Sequence, residues 1–204
     1  MAEIILDIGS GRSLHNVMRA ETMIAKVANT DSHKHKIIFK TQLFRDAPPN
    51  IPLDHDVFDH LYHYAASLGY PMTSSVFDKD SLAFLWRYQI PFVKIACRPD
   101  LYWLIGEIPR KMPVYVSVYD KVAPPYLNGK WLFCVPQYPA QISEYLAFSS
   151  EGRKMISDHS PGLDVWLNLK PDVWEKHLCP EREADNPDSG TFAVTPEELR
   201  EVIA

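Results

Sequence analysis

Lys154-Met-Ile-Ser-Asp-His159 and Asp172-Val-Trp-Glu-Lys-His177 are two short runs that read as buried strands, each closing on a histidine. In an α/β barrel the C-terminal ends of the strands form the rim that carries the chemistry. Two neighbouring strands ending in His would bring two imidazoles close together, a geometry suited to one divalent metal ion. A lone strand-end histidine is more often a hydrogen-bonded structural residue. Two in matching positions, each beside acidic or hydroxyl side chains, favour the metal.

Outward from this pair, short apolar or β-branched runs alternate with amphipathic segments, as repeated βα units require. Strands are expected at Ile4–Ile8, Lys36–Phe39, Pro71–Ser74, Phe92–Ala96, Val114–Val118, Trp131–Val135, Met155–Ser157 and Val173–Glu175. Most are apolar on both faces, the mark of parallel strands covered on both sides. Helices are expected over Asn16–Ala28, Asp56–Leu68, Asp80–Tyr88, Asp100–Ile108, Tyr138–Phe148 and Pro196–Val202, the last with Thr195 and Glu198 as a capping box. The fold expected is α/β, a compact (βα)8 TIM barrel with shortened or missing helices after strands 5 and 7, forming one domain over residues 1–204. An open doubly wound sheet is the alternative, but it would call for a G-x-G-x-x-G turn that the chain lacks.

With 46% hydrophobic residues the chain can bury a full core, and its net charge of −5, with basic residues scattered, excludes the footprint of a nucleic-acid binder. No apolar stretch is long enough to span a bilayer. The first residues run straight into a strand without a basic leader, and Cys97, Cys134 and Cys179 are an odd, widely spaced set; both suit a cytoplasmic protein with reduced thiols. Cys134 and Cys179 read as filler. The stretches 46–52, 119–126 and 180–187, rich in proline or acidic residues, read as loops within the domain. His55, His60 and His63 read as a solvated helix face, and Trp166 and Trp174 as core.

Further strand ends carry Lys40, Gln42, Lys94, Gln137 and Tyr138, so the rim would gather two lysines, two histidines, Glu175 and Ser157. Lysines neutralise phosphate or carboxylate as point charges. A metal polarises a carbonyl oxygen, and a carboxylate within reach moves protons. The set suits a phosphorylated substrate meeting a carbonyl compound.

In order and wording these residues resemble the N-acetylneuraminate (sialic acid) synthase family and its legionaminic and pseudaminic relatives. Phe39-Lys40-Thr41-Gln42 stands for the family's K-F-Q, Ser74-Ser75-Val76-Phe77-Asp78 for S-T-P-F-D, and Lys94-Ile95-Ala96-Cys97 for K-I-A-S. Gln137-Tyr138-Pro139 stands for N-Y-P, Ser157-Asp158-His159-Ser160 for S-D-H-T, Glu175-Lys176-His177 for E-K-H, and Asn186-Pro187-Asp188 for G-P-D. The resemblance implies condensation of phosphoenolpyruvate with an N-acylated aldose such as N-acetylmannosamine, giving a 2-keto sugar acid and phosphate. It implies that His159 and His177 hold a divalent metal ion, Mn2+ first, with Mg2+ or Co2+ as alternatives. Lys94, Cys97, Ser157, Tyr138, Gln137 and Ser75 would seat the substrates together with Gln42 and Asp188, while Glu175, Lys40 and Asp7 would act at the reacting atoms.

Three departures stand out. Asp7 replaces a family glutamate, Ser10-Gly11-Arg12-Ser13 replaces N-H-N-G, and Cys97 replaces a serine, a thiol being a poor donor. The resemblance covers the barrel only, so the expectation is a barrel without the family's antifreeze-like C-terminal domain, with a homodimer partner or a separate chain supplying a lid. Two other readings stay open: a non-catalytic relative that binds phosphoenolpyruvate or a similar anion without turnover, and a barrel lyase or aldolase using Lys94 as a Schiff base.

Overall fold

The computed structural model describes residues 1–44, 51–119, 129–149, 154–183, 186 and 188–204. Most of the three stretches read as loops, Pro187, and the connection expected to lack a helix after strand 5 therefore lie outside the described residues. Eight parallel strands close on themselves in sequence order: β1 (Glu3–Asp7), β2 (Lys36–Leu43), β3 (Met72–Val76), β4 (Val93–Ile95), β5 (Val114–Val118), β6 (Gly129–Cys134), β7 (Met155–Asp158) and β8 (Val173–His177). Helices α1 (Gly11–Leu14), α2 (Val17–Thr30), α3 (His55–Ser67), α4 (Lys79–Leu85), α5 (Ile142–Ser149), α6 (Asp164–Leu169) and α7 (Pro196–Ile203) ring the outside. The helix after strand 7 is short, as the sequence leads one to expect. No described helix is long and apolar enough to cross a membrane.

The period-two alternation of strands sorts the side chains. Ile4, Leu6 and Trp174 turn outward into the helix-facing core, where Trp174 packs on Trp166 of α6 at 5.2 Å between ring centroids. Ile5, Ile38, Phe92, Tyr115, Leu132 and Val173 turn inward and fill the barrel as an apolar plug. Within it the Phe92 and Tyr115 rings stack at 4.0 Å, almost parallel. The next inward residue on each strand, one pleat toward the C-terminal end, is where the polar groups begin.

Several boundaries differ from the sequence reading, each for a local reason. β2 runs four residues past Phe39, because β1 pairs with it as far as Lys40 and β3 as far as Leu43; Lys40 consequently sits inside the barrel rather than on its rim. The helix expected over Asp100–Ile108 is a 3-10 helix, Pro99–Glu107, whose buried Leu101 and Leu104 recur every three residues, the repeat of that tighter helix. α5 starts at Ile142 rather than Tyr138, since Pro136 and Pro139 disfavour helical backbone before them. The capping box at α7 forms as expected, Thr195 and Glu198 each accepting the other's backbone N–H. On α3, His55 stacks on Phe84, while His60 and His63 lie beside Glu21 and Asp59.

Candidate active site

Above the plug opens a cavity of about 290 Å³, walled by the C-terminal ends of the strands. Its floor is a buried charge cluster. Lys40 Nζ donates to Asp7 Oδ2 at 2.6 Å and to Ser75 Oγ at 3.0 Å, and lies 3.4 Å from Glu175 Oε1. Lys94 Nζ donates to Ser117 Oγ at 2.7 Å and lies 3.3 Å from the other Glu175 oxygen, Oε2. Glu175 thus bridges the two ammonium groups. Burial alone would raise the Glu175 pKa, but Lys94 and Lys40 outweigh it and hold the carboxyl down at about 2. Asp7 is likewise depressed: burial opposes, and Lys40 and His177 prevail. Lys40, for all its burial, is raised by Asp7 and Glu175.

Two imidazoles stand over this floor, with ring centroids 5.7 Å apart. His159 Nδ1 lies 2.7 Å from the Val135 carbonyl oxygen. That contact fixes Nδ1 as the protonated nitrogen and leaves Nε2 with its lone pair, the usual arrangement of a ligating histidine. Burial first, and His177 second, hold the His159 pKa down to about 3, so the ring is neutral at ordinary pH. His177 Nδ1 is buried and has no hydrogen-bond partner, an orphan that calls for one. The donor set therefore fits a divalent ion with two protein ligands and the remaining positions left to water or substrate. Among the described residues no cluster of three or more His, Cys, Asp or Glu side chains converges on one point.

The depressed His159 sets a pH dependence. Between pH 6.5 and about 3 the unfolded chain takes up a proton that the folded imidazole refuses, so the stability is intact above 6.5 and falls as pH drops. Unfolding of metal-free protein between pH 7 and 5, above the carboxylate range, should show a loss of roughly 1 kcal/mol per pH unit. A His159→Asn chain should flatten that slope; an unchanged slope would mean the imidazole accepts protons freely in the fold.

The motif residues are held by contacts that the sequence does not reveal. Asp158 and Lys176 alternate with the inward Ser157, Glu175 and His177, and both are wholly buried. Lys176 Nζ donates to Asp158 Oδ2 at 3.0 Å and to the Ser160 carbonyl at 2.7 Å, and Trp174 Nε1 donates to the same Asp158 oxygen at 2.9 Å. The buried Tyr145 hydroxyl accepts from His159 N and Val135 N and donates to the Ser157 carbonyl. These bonds lock the ends of β6, β7 and β8 together and with them the two histidines.

Asp7, Lys40, Gln42, Ser75, Lys94, Cys97, Tyr138, Ser157, His159, Glu175 and His177 all line the cavity. Tyr138 does so from the mouth, its ring stacked on His159 at 3.9 Å. Two expected residues do not. Gln137 is exposed and off the wall, because the chain turns outward at Pro136 once β6 ends. Asp188 instead clasps the first loop: its Oδ2 accepts from Ser10 N, Ser10 Oγ and Ser13 Oγ, and only Oδ1, 3.4 Å from Gln42 Nε2, touches a cavity residue. Gly9 makes that clasp with φ +94°, and a Cβ there would lie 2.7 Å from the Asp188 carboxylate. Conversely, Ser117 and Cys134 line the cavity unforeseen. Ser117 had a signal, a lone hydroxyl two residues past Tyr115 in an apolar strand.

Comparison with known proteins adds three observations. The model of the NeuB family matches residues 15–104. No curated protein matches the chain. Among solved structures, N-acetylneuraminic acid (sialic acid) synthetase from Leptospira borgpetersenii serovar Hardjo-bovis, in complex with citrate, is similar with a TM-score of 0.75 at 19% identity, over 98% of this chain and 80% of that one. Spore coat polysaccharide biosynthesis protein E from Chromobacterium violaceum gives 0.74 at 16% identity, over 98% of this chain and 72% of that one. Its counterpart from Bacillus subtilis gives 0.70 at 19%, over 99% and 66%. At these identities the structural likeness is one of fold.

Proposed function

Taking as premise that the chain is NeuB-like, we propose that it condenses phosphoenolpyruvate with an N-acylated aldose, giving a 2-keto sugar acid and phosphate. The observation that carries this reading is the stacking of the site: two ammonium groups flanking Glu175, directly beneath two imidazoles, in one small cavity. Lys94, with Ser117 and Ser157 beside it, would hold the phosphoenolpyruvate anion. Holding that anion on the floor would leave its methylene carbon facing the aldehyde above, and such positioning alone lowers a bimolecular barrier substantially. Lys40, Asp7 and Glu175 share protons at short range and would serve the proton transfers of the reaction. His159 and His177 would hold the divalent ion, Mn2+ first; when bound, it would polarise the aldehyde oxygen and acidify a water. Gln42, braced by Asp7 at 2.8 Å, and Tyr138 at the mouth would meet the sugar.

The test is phosphate release from phosphoenolpyruvate with N-acetylmannosamine and other aldoses, after chelation and again after adding Mn2+. Release that chelation abolishes and Mn2+ restores is the expected result, with His177→Ala retaining less metal by elemental analysis. Silence with every aldose, with and without the ion, would overturn it. The Cys97 thiol at the anion site, a weak donor, favours the second reading, an anion-binding barrel without turnover; calorimetric binding of phosphoenolpyruvate by a silent protein would establish that one.

A further inference from the structure

Among the described residues, the lysine and arginine side chains lining the cavity are Lys40, Lys94 and Arg98. The two ammonium groups are already matched: Asp7 accepts from Lys40, and Glu175 lies against both. The third carboxylate of the wall, Asp158, is bonded to Lys176. The floor is thus close to charge-neutral before a ligand arrives, whereas phosphoenolpyruvate brings both a carboxylate and a phosphate. Arg98 stands differently. It lies three residues past β4 on the exposed side of the wall, next to Cys97, whose thiol is a poor donor. Its guanidinium grips Asp100 with two arms, Nε to Oδ1 at 3.2 Å and Nη2 to Oδ2 at 2.6 Å. Asp100 is not part of the cavity wall, and both side chains are more than half exposed. An ion pair in water is weak, so this one is readily exchanged for a better-matched anion. The Arg98 backbone is held meanwhile, its N–H donating to the Ala96 carbonyl at 2.7 Å and its own carbonyl accepting from Leu101 N at 2.9 Å.

We propose that Arg98 is a substrate-binding residue: its guanidinium leaves Asp100 and clamps the phosphoryl group of the phosphoenolpyruvate held by Lys94. This rests on the reading of the cavity floor as a phosphoenolpyruvate site and deepens it. The planar fork that now meets two carboxylate oxygens matches two phosphoryl oxygens equally well. The phosphoryl group is also the end that departs as phosphate, so it belongs toward the opening, where Arg98 stands, with Lys94 reaching it from the buried side. Asp100 holds the guanidinium while the site is empty and returns to water when the ligand takes over. It is therefore a competitor of the ligand, and removing its charge should favour binding.

The experiment is calorimetric titration with phosphoenolpyruvate, which needs no turnover, on the parent, Arg98→Gln, Asp100→Asn and the double variant. Arg98→Gln should weaken binding by about 10–100-fold, the loss expected of a two-armed charged hydrogen bond, and Arg98→Lys should recover only part of it, having the charge without the fork. Asp100→Asn should tighten binding by about twofold to fivefold, and should change nothing once Arg98 is gone. Mere loss of a structural ion pair would move both single variants the same way; here they move in opposite directions. The inhibition constant of inorganic phosphate should rise in Arg98→Gln and that of pyruvate should not; the reverse pattern would put the guanidinium on the carboxylate and overturn the phosphoryl clamp. Binding by Arg98→Gln within twofold of the parent, or weakened binding by Asp100→Asn, overturns the role of Arg98 and leaves the phosphoenolpyruvate site standing. Arg98-dependent binding in a protein that releases no phosphate overturns the condensation alone, and a parent that binds no phosphoenolpyruvate overturns both.

Discussion

In the proposed condensation, Lys94→Met should lower kcat/KM for phosphate release by about 10²–10³-fold, the loss typical of removing one preorganised charge from a reacting centre. The side chain is almost fully buried and its ammonium has three partners, Ser117 Oγ, the Ile95 carbonyl and Glu175. Methionine fills similar volume, so the wall should survive while the anion loses its deepest positive contact. A second consequence follows from the pair. With one of its two ammonium neighbours gone, the Glu175 carboxyl should rise from about 2 toward ordinary values, and any residual activity should acquire an acid limb near pH 4–5. Steady-state kinetics across pH would read both effects, and a variant within threefold of the parent would remove Lys94 from the anion site.

The other large effect falls on stability. Asp158→Ala should cost about 3–5 kcal/mol, because it strands Lys176 as an uncompensated charge in a wholly buried position. For a chain of this length that lowers the unfolding midpoint by about 6–20 °C. Replacing both partners, Asp158→Leu with Lys176→Met, should recover part of the loss, since apolar groups of similar size need no partner. Denaturant titration of the parent, the single and the double variant checks this; a single variant less than 1 kcal/mol below the parent would mean that water reaches the pair. The double variant should still suffer in retaining the proposed metal ion, because this pair joins the residue preceding His159 to the one preceding His177.

The barrel and its inward-facing residues were legible for one reason: strands alternate strictly, so a motif such as Ser157-Asp158-His159 or Glu175-Lys176-His177 announces which members share a face. That logic put the two histidines over Glu175 and Ser157. It could not say that β2 would extend past Phe39, because that extension depends on how far β1 and β3 pair with it. Nor could it find the Asp158–Lys176 bond, whose members look in sequence like two more motif residues. Beyond the strand ends the period is lost. Gln137 turns away after Pro136, and Asp188 spends its carboxylate on Ser10 and Ser13, since a loop's direction is set by its packing rather than by residue count. Cys134 escaped for the opposite reason: a small apolar-looking residue on an apolar strand gives no hint that it lines a polar cavity.

The doubly bridged carboxylate on the cavity floor bears on how a ligand would be captured. Asp7 and Glu175 cancel the field of Lys40 and Lys94 within a few ångströms, so this floor casts little electrostatic shadow into solvent and does little to reel anions in from afar. Recognition then begins only at touching distance, when an incoming oxygen competes with Glu175 for ammonium protons. Such an exchange rewards the right shape over mere charge, and the many small anions dissolved around the protein would find nothing to hold them.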